Sequence, residues 1–296
     1  MNGILNIIKP PGMTSFDVVA YLRGILKIKK IGHTGTLDPD VAGVLPVCVG
    51  KATRAIEYII EKDKLYRAEL TLGVETDTQD SSGRVVSVSR VTAGAGEIEG
   101  VIKGYVGKYS QLPPMYSAVK VDGRKLYELA RKGITVERKP REVEIYSIKI
   151  IEMNESGKVL FDVACSKGTY IRTLCFDIGR ELGCGGHMSF LIRTRAGSFD
   201  IGSALTLEEA ASMAEKGKTS EMLAGVEEVF LHLNSLSLER ECEKRFLNGA
   251  AVPIDAADVK AGQAVRIYGT GELFLGLGEI RQADGRLLLK SKKLFI

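Results

Sequence analysis

The chain has 296 residues, of which 45% are hydrophobic and 26% are charged. These values are typical of a soluble globular protein, and no apolar run approaches the roughly eighteen residues of a membrane-spanning helix. The formal net charge is only +4, so the overall charge does not by itself indicate a nucleic-acid partner. The N-terminus has neither the charged segment nor the cleavage site of a secretion signal, and we therefore expect a cytoplasmic protein.

The cysteines and acidic residues show no spacing that is typical of a disulfide framework or a metal site. The cysteines are odd in number and include no C-x-x-C pair, so we expect them to be reduced and mostly buried. Glu75, Asp77 and Asp80 lack the glycine turn and the bidentate glutamate of a calcium loop. We therefore predict neither a metal nor another cofactor. The cysteines are Cys48, Cys165, Cys175, Cys184 and Cys242.

The N-terminal region is predicted to form a strand, a turn and a helix. The strand covers residues 4–8, and the prolines and glycine of residues 9–13 predict the turn. Thr14 or Ser15 is suited to cap the helix that follows. The apolar residues that share one face of this helix are Phe16, Val19, Leu22 and Leu26.

Residues 30–50 combine a glycine-rich polar loop with an apolar strand. Gly32 and Gly35 indicate a tight loop or a close approach to a ligand, and Pro39 keeps Asp38 in extended geometry. The apolar run at residues 44–49 predicts a buried strand that braces this loop. From the residues alone, Asp38 is either a reactive carboxylate held in place or a solvated residue of an ordinary turn.

Further elements follow up to residue 106. Apolar residues at helical spacing predict a helix over residues 52–60, and alternation from Tyr66 to Leu72 predicts a half-buried strand. Tyr66 lies on the apolar face of that strand, where it is either a core tyrosine or a pocket residue. A hairpin strand is expected within residues 81–95 and a helix over residues 97–106.

Basic charge is concentrated between residues 103 and 141. This segment has ten lysines and arginines against three acidic residues, so its net charge is +7 and the rest of the chain sums to −3. Four tyrosines are interleaved with the basic residues. Such a segment is suited to bind phosphates and stack on bases, although a solvated surface loop has the same composition.

Two predicted strands, at residues 143–153 and 159–165, lead into a helix that we expect to begin at Gly168. Tyr170 and Arg172 are expected in its first turn, outside its buried face. An arginine at a helix N-terminus is suited to an anionic partner, whereas an exposed arginine on a helix is often only solvated. The predicted buried face contains Ile171, Leu174, Cys175, Ile178 and Leu182.

The remaining residues predict a strand at 188–197, a helix opened by the capping box Thr206–Glu209, and a connecting helix and linker over 217–238. From about Leu238 the predicted elements become a short helix followed by several strands. The helix ends at Gly249, and the strands lie near 264–268, 273–281 and 287–290. A second basic cluster consists of Arg281, Arg286, Lys290, Lys292 and Lys293.

The octapeptide Gly-His-Thr-Gly-Thr-Leu-Asp-Pro at residues 32–39, followed by Gly-Val-Leu-Pro at 43–46, resembles the catalytic motif of the TruB family of tRNA pseudouridine synthases. Further segments resemble motifs of the same family, in the same order along nearly the whole chain. These segments are residues 9–15, 64–66, 73–78, 113–120, 123–127 and 166–172, together with a Leu-x-Arg pattern that begins at Leu191.

The resemblance implies a role for each matching residue. Asp38 is the expected catalytic residue, and Arg172 is expected to pair with it, which favours the ionised carboxylate that burial alone would neutralise. Tyr66 is expected to stack on the target base. The other residues expected to bind the substrate are Tyr170 and Leu191, which wall the pocket, and His33, which fills or braces the vacated stack. The RNA-binding residues expected in the basic insertion include Lys120, Arg124, Lys125, Arg131 and Lys132.

The resemblance also implies an α+β fold in which a mixed, mainly antiparallel sheet is flanked by helices. We expect a catalytic domain over residues 1–235, with an RNA-binding insertion at about 103–141, and a small PUA-like β domain over 236–296. The implied reaction isomerises the T-loop uridine at tRNA position 55 by base flipping, glycosidic cleavage and carbon–carbon reattachment. The residues do not decide whether Asp38 acts as a nucleophile or as a base.

The expected partner is the T-arm of tRNA, without a membrane or an obligate protein partner, and we expect a monomer. Two other hypotheses are a non-catalytic RNA-binding or RNA-folding protein on the same scaffold and a guide-RNA-dependent enzyme. The presence of Asp38, Tyr66 and Arg172 together disfavours the first alternative. The absence of long charged tails and the short C-terminal domain disfavour the second.

Overall fold

A computed structural model describes residues 1–255, 258–283 and 285–296 of the chain. The helices within these ranges are α1 (Ser15–Leu26), α2 (Ile56–Ile60), α3 (Ala95–Gly104), α4 (Leu126–Ala130), α5 (Ile171–Glu181), α6 (Leu207–Glu215) and α7 (Arg240–Leu247). The strands up to residue 200 are β1 (Gly3–Lys9), β2 (Ile31–His33), β3 (Ala42–Val49), β4 (Lys64–Leu72), β5 (Val74–Thr76), β6 (Val85–Val88), β7 (Gly107–Gln111), β8 (Lys120–Val121), β9 (Arg124–Lys125), β10 (Arg141–Met153), β11 (Lys158–Cys165), β12 (Gly186–Ala196) and β13 (Phe199–Asp200). The later strands are β14 (Ser235–Ser237), β15 (Val252–Pro253), β16 (Ala264–Tyr268), β17 (Phe274–Ala283) and β18 (Arg286–Leu294).

The main sheet has the strand order β1-β3-β12-β4-β11-β10-β7, with β2 added to β3 and β13 added to β12. Its pairs are antiparallel except for β3 and β12, which run parallel. At this junction Gly43 has a φ of +118°, and a Cβ there would lie 2.2 Å from the carbonyl oxygen of Arg193. Glycine therefore allows the parallel strand to approach closely, next to the loop that carries Asp38.

Helices cover parts of the main sheet. One core packs α3 and α5 against β4, β10 and β11, and its strand residues include Ala68, Leu70 and Phe161. A second core packs α1 and α6 against β1 and β3. This architecture confirms the predicted α+β class and the mixed, mainly antiparallel sheet flanked by helices.

A separate five-stranded sheet has the order β14-β16-β17-β18-β15 and forms the C-terminal β domain, with α7 beside it. It packs on the main domain through Phe274 and Phe295, whose ring centroids lie 6.3 and 5.6 Å from that of Phe230. In place of the predicted connecting helix, residues 226–230 form a 3-10 turn and β14 already belongs to this sheet.

Several local predictions agree with the structure, and two more do not. Capping boxes begin α1 at Thr14 and α6 at Thr206. Phe16 was expected on the buried face of α1 but is 63% exposed, because it lies at the margin of that face, where the guanidinium carbon of Arg23 is 5.7 Å from its ring centroid. Helix α5 begins at Ile171 and not at Gly168, which lies in the preceding turn with a φ of +79°.

Two negative findings apply to the part of the chain that the structure describes. Within it, no helix is long and apolar enough to cross a membrane. No group of three or more His, Cys, Asp or Glu side chains in the same residues is arranged to hold a metal ion. Cys48, Cys165, Cys175 and Cys184 are buried, and burial raises the pKa of the Cys48 thiol to about 12.

Candidate active site

The Asp38 loop connects β2 with β3 and is fixed at its start and at the residue before Asp38. Thr34 donates from its backbone N–H and its hydroxyl to the Pro46 carbonyl, at 3.1 and 3.0 Å. The Leu37 N–H donates to the Ser15 hydroxyl at 2.9 Å, which ties the loop to the start of α1. The loop is therefore a braced structure and not a mobile turn.

A buried lysine holds the N-terminal turn against the same loop. Lys9 is fully buried, and its Nζ donates to the carbonyls of Pro10, Met13 and Pro39 at 2.6 to 2.8 Å. The Gly12 N–H also donates to the Pro39 carbonyl, at 3.0 Å. Burial lowers the pKa of Lys9 to about 8, and the nearby Asp40 and Asp38 carboxylates oppose that shift. Lys9 thus fixes the residue that follows Asp38.

A cavity of about 250 Å³ opens beside Asp38. It brings together five of the six residues expected at the site, from β4, α5, β12 and the Asp38 loop. His33 is the exception: it lies in β2, and its Nδ1 accepts from the Gly35 N–H at 3.3 Å, but it is not among the lining residues. The five lining residues are Asp38, Tyr66, Tyr170, Arg172 and Leu191.

Arg172 is the centre of the polar network in this cavity. Its Nη2 lies 3.0 Å from Oδ2 of Asp38 and donates to the Tyr116 carbonyl at 3.0 Å. Its Nη1 lies 3.2 Å from Oδ2 of Asp80 and donates to the Thr78 carbonyl at 3.3 Å. The side chain is only 6% exposed, so the prediction that Arg172 lies outside the buried face of its helix is wrong. The loop at residues 78–80 and the insertion cover the start of α5.

Asp38 is crowded by protein but still faces the cavity with 44% of its side chain exposed. Burial raises the pKa of its carboxyl above the ordinary value, Arg172 opposes this shift, and Asp80 adds to it. An ionised carboxylate at this position therefore depends on the guanidinium. A carboxylate with partial desolvation and one strong partner is typical of a functional site.

Tyr66 and Arg193 face one another across the β4–β12 pair. Burial raises the pKa of Tyr66, so the phenol stays protonated at neutral pH, and Arg193 opposes the shift. Arg193 is 2% exposed and donates to the Val44 carbonyl at 2.7 Å and to the Gly35 carbonyl at 3.2 Å. It joins β12 to the Asp38 loop and forms part of the cavity wall.

Tyr170 lies in extended geometry at the N-cap of α5. Its backbone is held by Gln111, which accepts from the Tyr170 N–H at 2.8 Å and donates to the Tyr170 carbonyl at 3.0 Å. Gln111 is 1% exposed and ends β7. This contact fixes the start of α5 to the edge of the sheet from which the insertion leaves.

The basic insertion has a part that belongs to the main sheet and a part that does not. Strand β7 pairs with β10, whereas residues 112–140 carry the small β8–β9 hairpin and α4. Of the expected RNA-binding residues, Lys120, Arg124, Arg131 and Lys132 are exposed and Lys125 is half-buried. The cationic groups of Lys125 and Arg131 each lie 5.4 Å from the ring centroid of Tyr127.

Four residues that shape the site are not among the predicted site residues. Asp80 belongs to an incomplete calcium-loop pattern, and Gln111 lies in the basic stretch without a local signal of its own. Lys9 ends a mainly apolar strand, and that pattern is the available signal for it, whereas Arg193 lies in a strand with several other polar residues and has no such signal. The contacts that join these four residues to the site are with distant residues: Lys9 with Pro39, Asp80 with Arg172, Gln111 with Tyr170, and Arg193 with Gly35.

Three models of known protein families match consecutive segments of the chain. A model described as "TruB family pseudouridylate synthase (N terminal domain)" matches residues 23–171. A model described as "tRNA pseudouridylate synthase B C-terminal domain" matches residues 172–231, and "Pseudouridine synthase II TruB, C-terminal" matches residues 235–295.

Two similar proteins are both called tRNA pseudouridine synthase B. The one from Alkaliphilus oremlandii is 48% identical over 96% of this chain and 95% of its own length. The one from Clostridioides difficile is 45% identical over the whole of both chains. Among solved structures, a chain of a Cbf5-Nop10-Gar1 complex is 32% identical, with a TM-score of 0.75 over 99% of this chain and 85% of that chain.

Proposed function

Because the chain belongs to the TruB family of pseudouridylate synthases, we propose that it converts the T-loop uridine at position 55 of tRNA into pseudouridine. The observation that carries the proposal is the ionisable carboxylate of Asp38, which faces a cavity and is paired with the buried guanidinium of Arg172. The similar proteins called tRNA pseudouridine synthase B, which match this chain over nearly their full length, support tRNA as the substrate.

The reaction rearranges bonds within one nucleotide. The bond between ribose C1′ and uracil N1 breaks, the base turns, and C1′ joins C5. The proton on C5 leaves, and N1 ends with a proton. No atom is gained or lost, so the chemistry needs a positioned carboxylate and no phosphate donor or oxidant.

In this proposal Asp38 acts in its ionised form, either as a nucleophile or as the base that removes a ribose proton. Arg172 keeps it ionised and oriented, since the guanidinium offsets the effect of burial. Asp80 and the Thr78 and Tyr116 carbonyls hold that guanidinium in place. The catalytic geometry thereby depends on four separate segments of the chain: the Asp38 loop, residues 78–80, Tyr116 and the start of α5.

Tyr66, Tyr170 and Leu191 are proposed to contact the uracil. Tyr66 presents an aromatic ring for stacking, and its position near Asp38 is suited to moving the proton that leaves C5. Because the target base is stacked within folded RNA, the enzyme must extrude it at a cost of a few kcal/mol. His33 lies beside the cavity and not in it, which fits a role in bracing the vacated stack.

We also propose that catalysis and RNA binding are assigned to different parts of the chain. Residues 1–235 carry the catalytic domain, and residues 236–296 form a PUA-like RNA-binding domain. Five basic residues of the insertion bind RNA phosphates, and the free energy of these contacts offsets that of base flipping. These residues are Lys120, Arg124, Lys125, Arg131 and Lys132. With tRNA as substrate, the protein is expected to act in the cytoplasm as a monomer, without an obligate protein partner.

The test uses a tRNA transcript labelled with tritium at C5 of its uridines. We expect the purified protein alone to release tritium, and the product to contain pseudouridine at position 55. A transcript with cytidine at that position is the matched control and should release none. If the protein binds the transcript but forms no pseudouridine, a non-catalytic RNA-binding function replaces this proposal.

A further inference from the structure

A second cavity, of about 320 Å³, lies beside the active site and has no part in the proposed chemistry. The two cavities share walls. Ile60 and Lys64 line the first cavity, and Ile59 and Lys62 line the second, so the end of α2 and the turn after it separate them. Strand β12 lines the first cavity, and the residues directly after it line the second.

One side of the second cavity is basic. Nζ of Lys62 lies 3.3 Å from Nε2 of His232, although the two residues are far apart in the chain. Gly197 packs against Lys62: its N–H donates to the Asp63 carbonyl at 2.9 Å, and a Cβ at this glycine would lie 3.1 Å from Cβ of Lys62. Two adjacent basic groups that open to solvent are suited to bind a phosphate.

The other side of the cavity is apolar. Ile59, Phe199 and Val229 are buried and form the floor, and Leu231 lies at the edge with 60% of its surface exposed. A large exposed leucine next to a basic pair matches the two parts of a nucleotide, an apolar base face and an anionic phosphate. Most single exposed apolar residues need no explanation, but this one borders a cavity.

We propose that the second cavity is a nucleotide subsite: one nucleotide of the bound RNA places its phosphate against Lys62 and His232 from the solvent side and its base against Leu231 and the apolar floor. This inference rests on the proposed function, because it assumes that the active site engages RNA. A strand that enters the catalytic cavity and continues over the end of α2 would reach Lys62.

The charges around His232 give the site a pH dependence. Burial lowers the pKa of His232, and Lys62 and Arg266 lower it further, while Glu228 is an exposed acidic residue on the same wall. A bound phosphate favours the protonated imidazole. RNA affinity is therefore expected to rise as the pH falls from about 8 to about 6, and His232→Gln should reduce this rise.

The experiment measures the Kd of unmodified tRNA across a range of salt concentrations, with the full-length protein. Lys62→Gln and His232→Gln are each expected to raise Kd by about fivefold, and Lys62→Gln should lower the slope of log Kd against log salt by about one. Leu231→Ala should raise Kd by about threefold and leave the slope unchanged. Lys216→Gln, an exposed lysine that follows α6, is the matched control.

A wild-type Kd and salt slope in both Lys62→Gln and His232→Gln would overturn the subsite. If only Leu231→Ala keeps the wild-type Kd, the proposed contact between the base and Leu231 is wrong and only the phosphate contact with Lys62 and His232 stands. Tritium release at saturating tRNA is expected to be normal in all of these variants, since none of them lines the catalytic cavity. An active wild type with unchanged variants thus contradicts only the subsite, whereas an inactive wild type contradicts the proposed function.

Discussion

The guanidinium of Arg172 lies 3.0 Å from the carboxylate of Asp38 and 3.2 Å from that of Asp80, with 6% of its side chain exposed. One buried cation is therefore shared by two carboxylates, only one of which faces the cavity. The two charged neighbours affect Asp38 in opposite ways: Arg172 favours its ionised form, and Asp80 disfavours it. Catalysis is expected to be sensitive to both.

Asp38→Asn is expected to reduce pseudouridine formation by at least about a thousandfold, because the amide is neither a nucleophile nor a base. The Kd for tRNA should change little, since the amide has nearly the same size. Asp40→Asn, on the exposed part of the same loop, is the control and should stay active. Substantial turnover by Asp38→Asn would move the chemistry to another residue.

The same substitution should make the protein slightly more stable at neutral pH. The pKa of Asp38 is raised in the folded state, so its ionised form destabilises the fold relative to the protonated form as pH rises through that pKa. Asparagine resembles the protonated form. We expect Tm to rise by less than about 4 °C at pH 7 and the gain to vanish below pH about 4, measured by calorimetry. A lower Tm at pH 7 would contradict this reasoning.

The acid limb of the pH–rate profile should move in opposite directions in two variants. Arg172→Lys keeps the positive charge but loses the planar guanidinium that contacts both Asp38 and Asp80. The pKa of Asp38 should therefore rise, and activity should need a higher pH. Asp80→Asn removes a negative charge, so the limb should move to lower pH. Both variants should also lose about tenfold to a hundredfold in kcat because Arg172 is less well positioned. Shifts of the same sign in both variants would argue against this network.

Lys9→Met is expected to destabilise the protein by about 2 kcal/mol, because three carbonyls lose their buried donor. The Pro39 carbonyl is one of them, so kcat should also fall through displacement of Asp38. Chemical denaturation and single-turnover kinetics measure the two effects. Lys51→Met, at an exposed position, is the control and should show neither.

The insertion should contribute to RNA affinity and not to the chemical step. Replacing both Arg124 and Lys132 with glutamine removes two exposed charges and should lower the salt slope of tRNA binding by about two. The single-turnover rate at saturating tRNA should stay within about twofold of wild type. Unchanged binding in this double variant would show that RNA does not contact these side chains.

The sequence by itself determined the local structure and the chemical composition of the site. Alternation from Tyr66 to Leu72 predicts β4, a cap at Thr14 or Ser15 predicts the start of α1, and the capping box at Thr206 predicts the start of α6. These signals are local, because backbone geometry and caps depend on residues a few positions apart. The resemblance to the family motifs predicts Asp38 and Arg172 as site residues without any knowledge of tertiary contacts.

Only the tertiary structure decided how the charged groups are partnered. Arg172 was expected outside the buried face of its helix. It is buried because the loop that contains Asp80 and the basic insertion that contains Tyr116 both pack over it. The contact of Lys9 with Pro39 follows from the order of strands in the main sheet, as does that of Arg193 with Gly35. No local pattern encodes such contacts, since the free energy of a buried charge depends on which distant segments surround it.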